Sequence, residues 1–347
     1  TLPATDEMLD VRDNDTYQIT ANGDPSSVTF GAESGLTLAD LKGVTDITDE
    51  RWTLLMDQIK LEDCLIRTGF GGTSTKAIES IMSPETIQND GPNGIYSYTL
   101  GQNANTDTSS GDPCAVDPSD PNLTYKMGVM PNETVIGSTF SKQLAAEYGR
   151  VVGNYSLWSN LTIHWGCGTN LHRLPYNARN HEYYSEDAVL TAGQGAAYVA
   201  AAKEYGCIEA PKHLAFNDTE VNRTGVAVFM TEQQARENEL RGVQAIIEDA
   251  GALGVMTAYN RVGCFTSNSH TGLMINILRG EWGFQGLMSE DFIQDANYTA
   301  LKEAVMNGIT MSCNTGDSTM EAVSEKWPYW TVENVSQDAT LMAALKQ

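Results

Sequence analysis

From residue 139 onward the apolar segments change period in a regular order, and that order restricts the chain to few architectures. Residues 141–152 are helical in pattern and 161–165 read as a short strand. An alanine-rich helix is expected over 187–205, and a strand near 207–211 follows it. Thr231 opens a long helix, with Glu232 in its first turn, running to about residue 250. Strands at 255–259, 286–289 and 309–313 then alternate with helices at 271–282 and 298–307. Short connections between alternating strands and helices predict parallel strands joined by right-handed crossovers. No Gly-x-Gly-x-x-Gly follows an early strand, so a dinucleotide-binding fold is disfavoured. At this length the expectation is an α/β fold of the TIM-type (β/α) barrel, with room for irregularity in its first strands.

Upstream, residues 49–66 form a helix candidate in which Trp52, Leu55, Ile59 and Leu65 share one apolar face. Residues 1 to about 40 are rich in Asp, Thr, Ser and Gly and read as a linker or a wrapped arm. The expected organisation is an arm over 1–45 and a barrel over 46–347. A second polar, turn-rich stretch at 101–121 reads as a long surface loop.

Charge narrows the function classes. The 347 residues carry 45 acidic and 21 basic side chains, a net charge of −24. Nucleic acid is disfavoured, because phosphate binding needs clustered Lys and Arg, and docking on anionic lipid is disfavoured on the same ground. No apolar run reaches the roughly 18 to 20 residues of a spanning helix. The opening residues lack the basic start and apolar stretch of a signal peptide, which leaves open a start inside a longer precursor.

The six cysteines are widely spaced without Cys-x-x-Cys, so zinc and redox motifs are disfavoured. Six buried free thiols are expected over three disulfides. Asn-x-Ser/Thr sites stand at Asn14, Asn122, Asn132, Asn154, Asn160, Asn217, Asn222, Asn297 and Asn334. Chance gives about four, so the excess leans towards secretion. An acidic bacterial protein rich in Asn and Thr is the other reading.

In a TIM barrel the active site gathers at the carboxyl ends of the strands. Lys212-His213, Tyr259-Asn260 and Glu290-Asp291 stand just after expected strands. The loop after 161–165 holds Asn170, His172, Arg173, Arg179, Glu182 and the run Tyr183-Tyr184-Ser185-Glu186-Asp187. Asp90-Gly91-Pro92-Asn93-Gly94 is a polar turn after Ile87. Such a set suits a neutral polyhydroxylated substrate, since charged groups grip hydroxyls through charge-assisted hydrogen bonds. A spare carboxylate can then attack an acetal carbon. Each element also has a plain structural reading. Lys212-His213 reads equally as a surface Lys beside a buried His, and Glu290-Asp291 as an acidic pair at a helix N-terminus. Ser185 or Asp187 reads as a cap, and Asp90-Gly91-Pro92 as a turn.

The chain resembles glycoside hydrolase family 3, the β-glucosidase family, over roughly residues 50 to 315. The resemblance rests on ordered blocks. Asp90-Gly91-Pro92-Asn93-Gly94 is similar to the family's Asp-Gly-Pro-x-Gly turn. Asn170-Leu171-His172-Arg173-Leu174-Pro175, followed by Arg179-Asn180-His181-Glu182-Tyr183-Tyr184-Ser185-Glu186-Asp187, resembles its Asn-Ile-His-Arg and Gly-Arg-Asn-Phe-Glu segment. Pro211-Lys212-His213-Leu214-Ala215-Phe216 resembles its Lys-His-Phe strand end, and Val255-Met256-Thr257-Ala258-Tyr259-Asn260 a later strand. Leu278-Arg279-Gly280-Glu281-Trp282-Gly283-Phe284-Gln285-Gly286 leads into the strand of the nucleophile.

The resemblance implies that Asp291 is the nucleophile. It implies that Asp90, Arg179, Lys212 and His213 bind sugar hydroxyls, that Tyr259 stands beside the nucleophile, and that Tyr259 and Met256 also bind substrate. The family usually has Ser or Thr before the nucleophile and Trp after it, where this chain has Glu290 and Phe292. The loop after His213 lacks the Asp-His acid/base pair of the N-acetylglucosaminidase branch. The resemblance is therefore to the glucosidase branch, in which an α/β sandwich domain supplies a Glu as acid/base. No such domain is expected within these 347 residues, so that group is expected from another segment or a partner. The implied activity is retaining, exo-acting hydrolysis of β-glucosides or cello-oligosaccharides, without metal or organic cofactor. A β-xylosidase or other exo-β-glycosidase, and a barrel that binds sugar without turnover, are the alternatives.

Overall fold

The computed structural model describes residues 19–72, 74–91, 93–95, 130–292, 296, 298, 300–314 and 318–347. The expected loop at 101–121, Cys114 and the first part of the arm lie outside them. The chain divides into two compact units, Ile87–Asp291 on one hand and Thr1–Thr86 with Phe292–Gln347 on the other.

The Ile87–Asp291 unit is a wall of parallel strands backed by helices. Strand β1 (Thr86–Asp90) pairs in parallel with β2 (Leu161–Trp165), Asp90 standing opposite Trp165. Strand β2 pairs in parallel with β3 (Ile208–Glu209), and β4 (Gly254–Met256) with β5 (Leu287–Ser289). Backbone bonds join the two sets: the Met256 amide donates to Pro211 O at 3.0 Å and the Leu214 amide to Met256 O at 2.8 Å. The order β1-β2-β3-β4-β5 follows the chain. Buried Leu161, Ile163, Trp165, Val255 and Met288 explain the near-continuous apolar runs of these strands.

Helix α1 (Lys142–Trp158) leads into β2 and α2 (Ala188–Lys203) into β3. Ser141 caps α1 by accepting the Leu144 amide at 3.2 Å, and Asp187 caps α2 through the Leu190 amide at 2.6 Å. The two helices approach closely at Gly149, where an added Cβ would lie 2.2 Å from the Tyr198 carbonyl oxygen. That contact explains small residues on both helices. The single helix expected over 231–250 is instead broken into pieces. A capped turn, Glu232–Gln234, runs into a widened i→i+5 turn, Ala235–Glu239, and only then into α3 (Arg241–Glu248). The extra residue in the wide turn brings Glu239 into the interior, where it is buried.

In the other unit the expected helix over 49–66 is two helices, Glu50–Asp57 and Leu61–Gly69. The break follows from hydrogen bonds made by the arm. The Gln58 amide nitrogen donates to Leu36 O at 2.8 Å, its oxygen accepts the Gly35 amide at 2.9 Å, and the Gly31 amide donates to Ile59 O at 2.9 Å. Leu41 is buried with Leu55, Ile59 and Cys64. A second core gathers Leu65, Phe70, Leu301, Val305, Val323, Trp327 and Trp330. The expected strand at 309–313 runs beside Thr68, whose carbonyl accepts the Ser312 amide at 2.8 Å.

Among the described residues, Cys64, Cys167, Cys207 and Cys264 are free thiols, with Cys264 half-buried and the others buried. No described helix is long and apolar enough to cross a membrane. No group of three or more His, Cys, Asp or Glu among the described residues is arranged to hold a metal ion.

Candidate active site

The polar side chains at the carboxyl ends of β1 to β5 form one connected string. Asp90, the last residue of β1, accepts a hydrogen bond from the Lys212 ammonium. Lys212 is fully buried and lies 3.8 Å from Glu182 Oε2. Glu182 takes the Arg179 guanidinium in a fork, Nε to Oε1 at 2.8 Å and Nη2 to Oε2 at 2.5 Å. Arg179 Nη1 stands 3.7 Å from Glu220 Oε1, and Glu220 Oε2 stands 3.1 Å from Arg223 Nη1. That same nitrogen is 3.9 Å from Asp291 Oδ2, and Asp291 Oδ2 is 3.5 Å from His213 Nε2. The Arg223 guanidinium lies 4.3 Å from the centre of the Tyr259 ring.

Of the residues singled out in the sequence, Asp90, Arg179, Lys212, His213, Tyr259 and Asp291 are therefore brought together. Met256 is buried in β4, and its tie to the site is its backbone carbonyl, which accepts the Leu214 amide. Glu290 is buried, and the Asn268 amide nitrogen donates to its Oε2 at 2.6 Å. Sequence reasoning passed over Glu220 and Arg223. Their spacing of three after a strand-end segment was the available signal, but both sit in a loop without periodicity.

Local backbone explains how that loop reaches the site. Phe216 and Asn222 have φ values of 70° and 55°, the left-handed region, so the chain reverses tightly on either side of Glu220. Asn217 is buried and its amide nitrogen donates to Glu220 Oε1 at 3.0 Å and to the Tyr183 hydroxyl at 2.9 Å. Its glycosylation motif therefore lies inside the fold, with no room for a glycan.

These bonds set the tautomer of His213. A carboxylate oxygen only accepts, so Glu220 fixes the orientation of the Asn217 amide. The Tyr183 hydroxyl, accepting from that amide, turns its own proton to His213 Nδ1 at 3.2 Å. Burial, together with Arg179, Lys212 and Arg223 nearby, holds the imidazole well below its usual pKa. A neutral His213 that accepts at Nδ1 carries its proton on Nε2, facing Asp291.

The cations also decide the carboxylates. Loss of water opposes ionisation of Asp90, but 43% of its side chain stays open. Lys212, His164 and Arg179 outweigh that loss, and its pKa falls below the ordinary value. Burial likewise opposes ionisation of Glu182, and the Arg179 bonds and Lys212 overcome it. Burial would discharge Lys212, yet Asp90 and Glu182 raise its pKa instead. The result is a set of fixed donors and acceptors beside a carboxylate, suited to gripping hydroxyls next to an attacking oxygen.

Comparison with known proteins places the chain in a family. The model of the glycosyl hydrolase family 3 N-terminal domain matches residues 121–327. A β-glucosidase of Ruminococcus albus is 30% identical over 318 residues, covering 85% of this chain and 31% of that protein. β-Glucosidase A of Butyrivibrio fibrisolvens is 26% identical over 320 residues, covering 91% of this chain and 35% of that protein. The chain thus spans about a third of the length of these two relatives. β-Glucosidase 3B of Thermotoga neapolitana, solved in complex with glucose, superposes with a TM-score of 0.67 at 22% identity, over 86% of this chain and 42% of that one. A β-glucosidase of Paenibacillus barengoltzii gives 0.65 at 24% identity, over 94% of this chain and 35% of that one. These likenesses show the fold, a TIM-type barrel. A family match across more than half of the chain, over a wall of parallel strands with its polar residues at the carboxyl ends, identifies the chain as a member of glycosyl hydrolase family 3, carrying its N-terminal domain.

Proposed function

We propose that this chain carries the nucleophile and the sugar-binding subsite of a retaining, exo-acting β-glucosidase. The observation that carries the reading is the convergence of Asp90, Lys212, Arg179 and His213 with Asp291 through contacts of 3.9 Å or less. Relatives named as β-glucosidases, and a related structure holding glucose, support it. In this reading Asp90, Lys212 and Arg179 hold the hydroxyls of the terminal sugar. An Asp291 carboxylate oxygen attacks the anomeric carbon as the glycosidic oxygen leaves with the bonding pair. Water then cleaves the resulting ester, returning the carboxylate and releasing the sugar.

A retaining enzyme also needs a general acid roughly 5 to 5.5 Å from the nucleophile. Glu220, a carboxylate beside Asp291 in space, is engaged by two guanidinium groups and an amide. We therefore assign the acid to a segment or partner outside this sequence, such as an α/β sandwich domain. Secretion is likewise proposed, on the excess of glycosylation motifs with Asn217 set aside.

A 2-fluoro-glucoside inactivator tests the assignment, since it traps the ester. Label is expected on the peptide holding Glu290 and Asp291, and Asp291→Ala should lower aryl-glucoside turnover by about a thousandfold or more. Label on another carboxylate would refute it. A leaving-group series tests the missing acid. Dinitrophenyl glucoside should be cleaved far faster than cellobiose, because an acid contributes about 10²- to 10⁴-fold to a leaving group that needs its proton. Brisk cellobiose hydrolysis by this chain would place the acid within it.

A further inference from the structure

Arg173, Asp218 and Glu239 come from three separate segments and meet outside the string of site residues. Arg173 lies in the loop after β2, Asp218 in the loop after β3, and Glu239 closes the widened turn before α3. One nitrogen, Arg173 Nη1, serves both carboxyls, Asp218 Oδ2 at 2.8 Å and Glu239 Oε1 at 3.1 Å. The two carboxyls also hydrogen-bond to each other. A carboxylate only accepts, so that bond requires one of the two to keep a proton. Charged groups on the neighbouring elements are engaged elsewhere. Beside the widened turn, Arg236 pairs with Glu232 and Glu281, and the Gln233 amide donates to Glu237. Lys203, the charged side chain of α2, donates to Gly251 O, and Arg241 and Glu248 of α3 both bond Gln244.

Asp218 sits where the loop of Glu220 and Arg223 leaves the interior. Asn217 and Asp218 are buried, whereas from Thr219 to Gly225 the chain is half-buried or exposed. We propose that Asp218 and Glu239 are positioning residues: joined through one proton, they hold the 217–223 loop so that Glu220 and Arg223 stay at the site, and loss of that proton releases it. The consequence for turnover rests on the reading of Asp291 as the nucleophile, since Arg223 lies 3.9 Å from it. Burial and the facing Asp218 push Glu239 up to about 8, and burial raises Asp218 against the pull of Arg173. Below that pH the shared proton is in place. Above it hydroxide removes the proton, leaving two close carboxylates against one guanidinium. The Arg173 side chain is 42% exposed, so solvent screens part of its attraction. The Glu239 side chain is fully buried, so the repulsion displaces Asp218 and the exposed residues that follow it.

The test is the pH dependence of kcat/KM for dinitrophenyl glucoside, whose leaving group needs no proton. In the unmodified chain kcat/KM should fall about ten- to thirtyfold between pH 7 and 9.5, and return when the pH is brought back. Glu239→Gln cannot ionise and keeps a donor for Asp218, so its fall over the same range should be less than about threefold. Asp218→Asn should flatten the limb in the same way from the other member of the pair. Trypsin reads the loop directly: cleavage after Arg223 at pH 9.5 should be about tenfold faster in the unmodified chain than in Glu239→Gln. A flat profile in the unmodified chain, a limb unchanged in both variants, or equal cleavage rates would overturn the proposal. A limb that coincides with loss of the far-UV circular dichroism of the whole chain would overturn it too. Labelling by a 2-fluoro-glucoside separates the two levels. Label on Asp291, with the limb unchanged in both variants, overturns the role of the pair alone. Label elsewhere overturns the nucleophile assignment and the consequence for turnover, and the trypsin comparison then decides whether the pair holds the loop.

Discussion

Two arginine–carboxylate clusters in the Ile87–Asp291 unit use the same residue types and behave oppositely as acids. In the site, Arg179 and Lys212 face Glu182 and Asp90, and both carboxyls titrate below their ordinary values. Behind it, one guanidinium nitrogen of Arg173 meets Asp218 Oδ2 at 2.8 Å and Glu239 Oε1 at 3.1 Å. Burial and the neighbouring carboxyl push Glu239 up to about 8, and burial, against the pull of Arg173, also raises Asp218. Burial opposes charge in both places. The balance of cations to carboxyls decides the outcome, since two close like charges cannot both be held against one cation. The site keeps fixed negative charge for hydroxyl binding, and the Arg173 cluster keeps a proton.

That comparison breaks most sharply at Lys212. Lys212→Met leaves Asp90 and Glu182 with Arg179 alone, which turns the site towards the composition of the Arg173 cluster. Loss of a buried partner should cost about 3 to 5 kcal/mol of stability at neutral pH, read by urea denaturation. A loss below about 1 kcal/mol would mean the charges are not buried as described. Arg173→Met should cost less, about 1 to 2 kcal/mol at pH 8, because 42% of its side chain is exposed and partly screened. The loss should shrink as the pH drops through the raised pKa values of the two carboxyls and they take up protons. A loss constant with pH would show that packing, not charge, is at stake.

The subtlest test is the pH dependence of Glu239. Its folded pKa lies above its ordinary value of 4.5, so the folded state binds more protons between about pH 4.5 and 8. Its contribution to stability is complete below 4.5 and is lost as the pH rises through 8. Glu239→Gln should flatten that decline in a series of denaturation curves. Asp90 has the opposite sign: its contribution is present above 3.8 and disappears as the pH falls through its lowered pKa. Glu239→Gln should leave that acid limb untouched, and a shift there would show the clusters are coupled.

The sequence and the structure divide this protein in a particular way. The order of strands, the helices over α1 and α2, and the strand-end positions of Lys212, Tyr259 and Asp291 follow from periodicity, because burial of one face is a local property of the chain. The family blocks likewise named Asp90, Arg179 and His213 without any geometry. Composition alone set the excess of acidic residues, and with it the need for some carboxyls to share cations. Tertiary structure decided the rest. The helix over 49–66 broke because Gln58 found partners at Leu36 and Gly35, and the 231–250 helix widened where Glu239 turned inward. Glu220 and Arg223 entered the site from an aperiodic loop, and Asn217 gave up its glycosylation motif to hold one of them. Each of these depends on hydrogen bonds and charges between residues distant in sequence or set in irregular backbone. Which carboxyl keeps its proton, and which stays charged, is decided by the cations that folding places beside it.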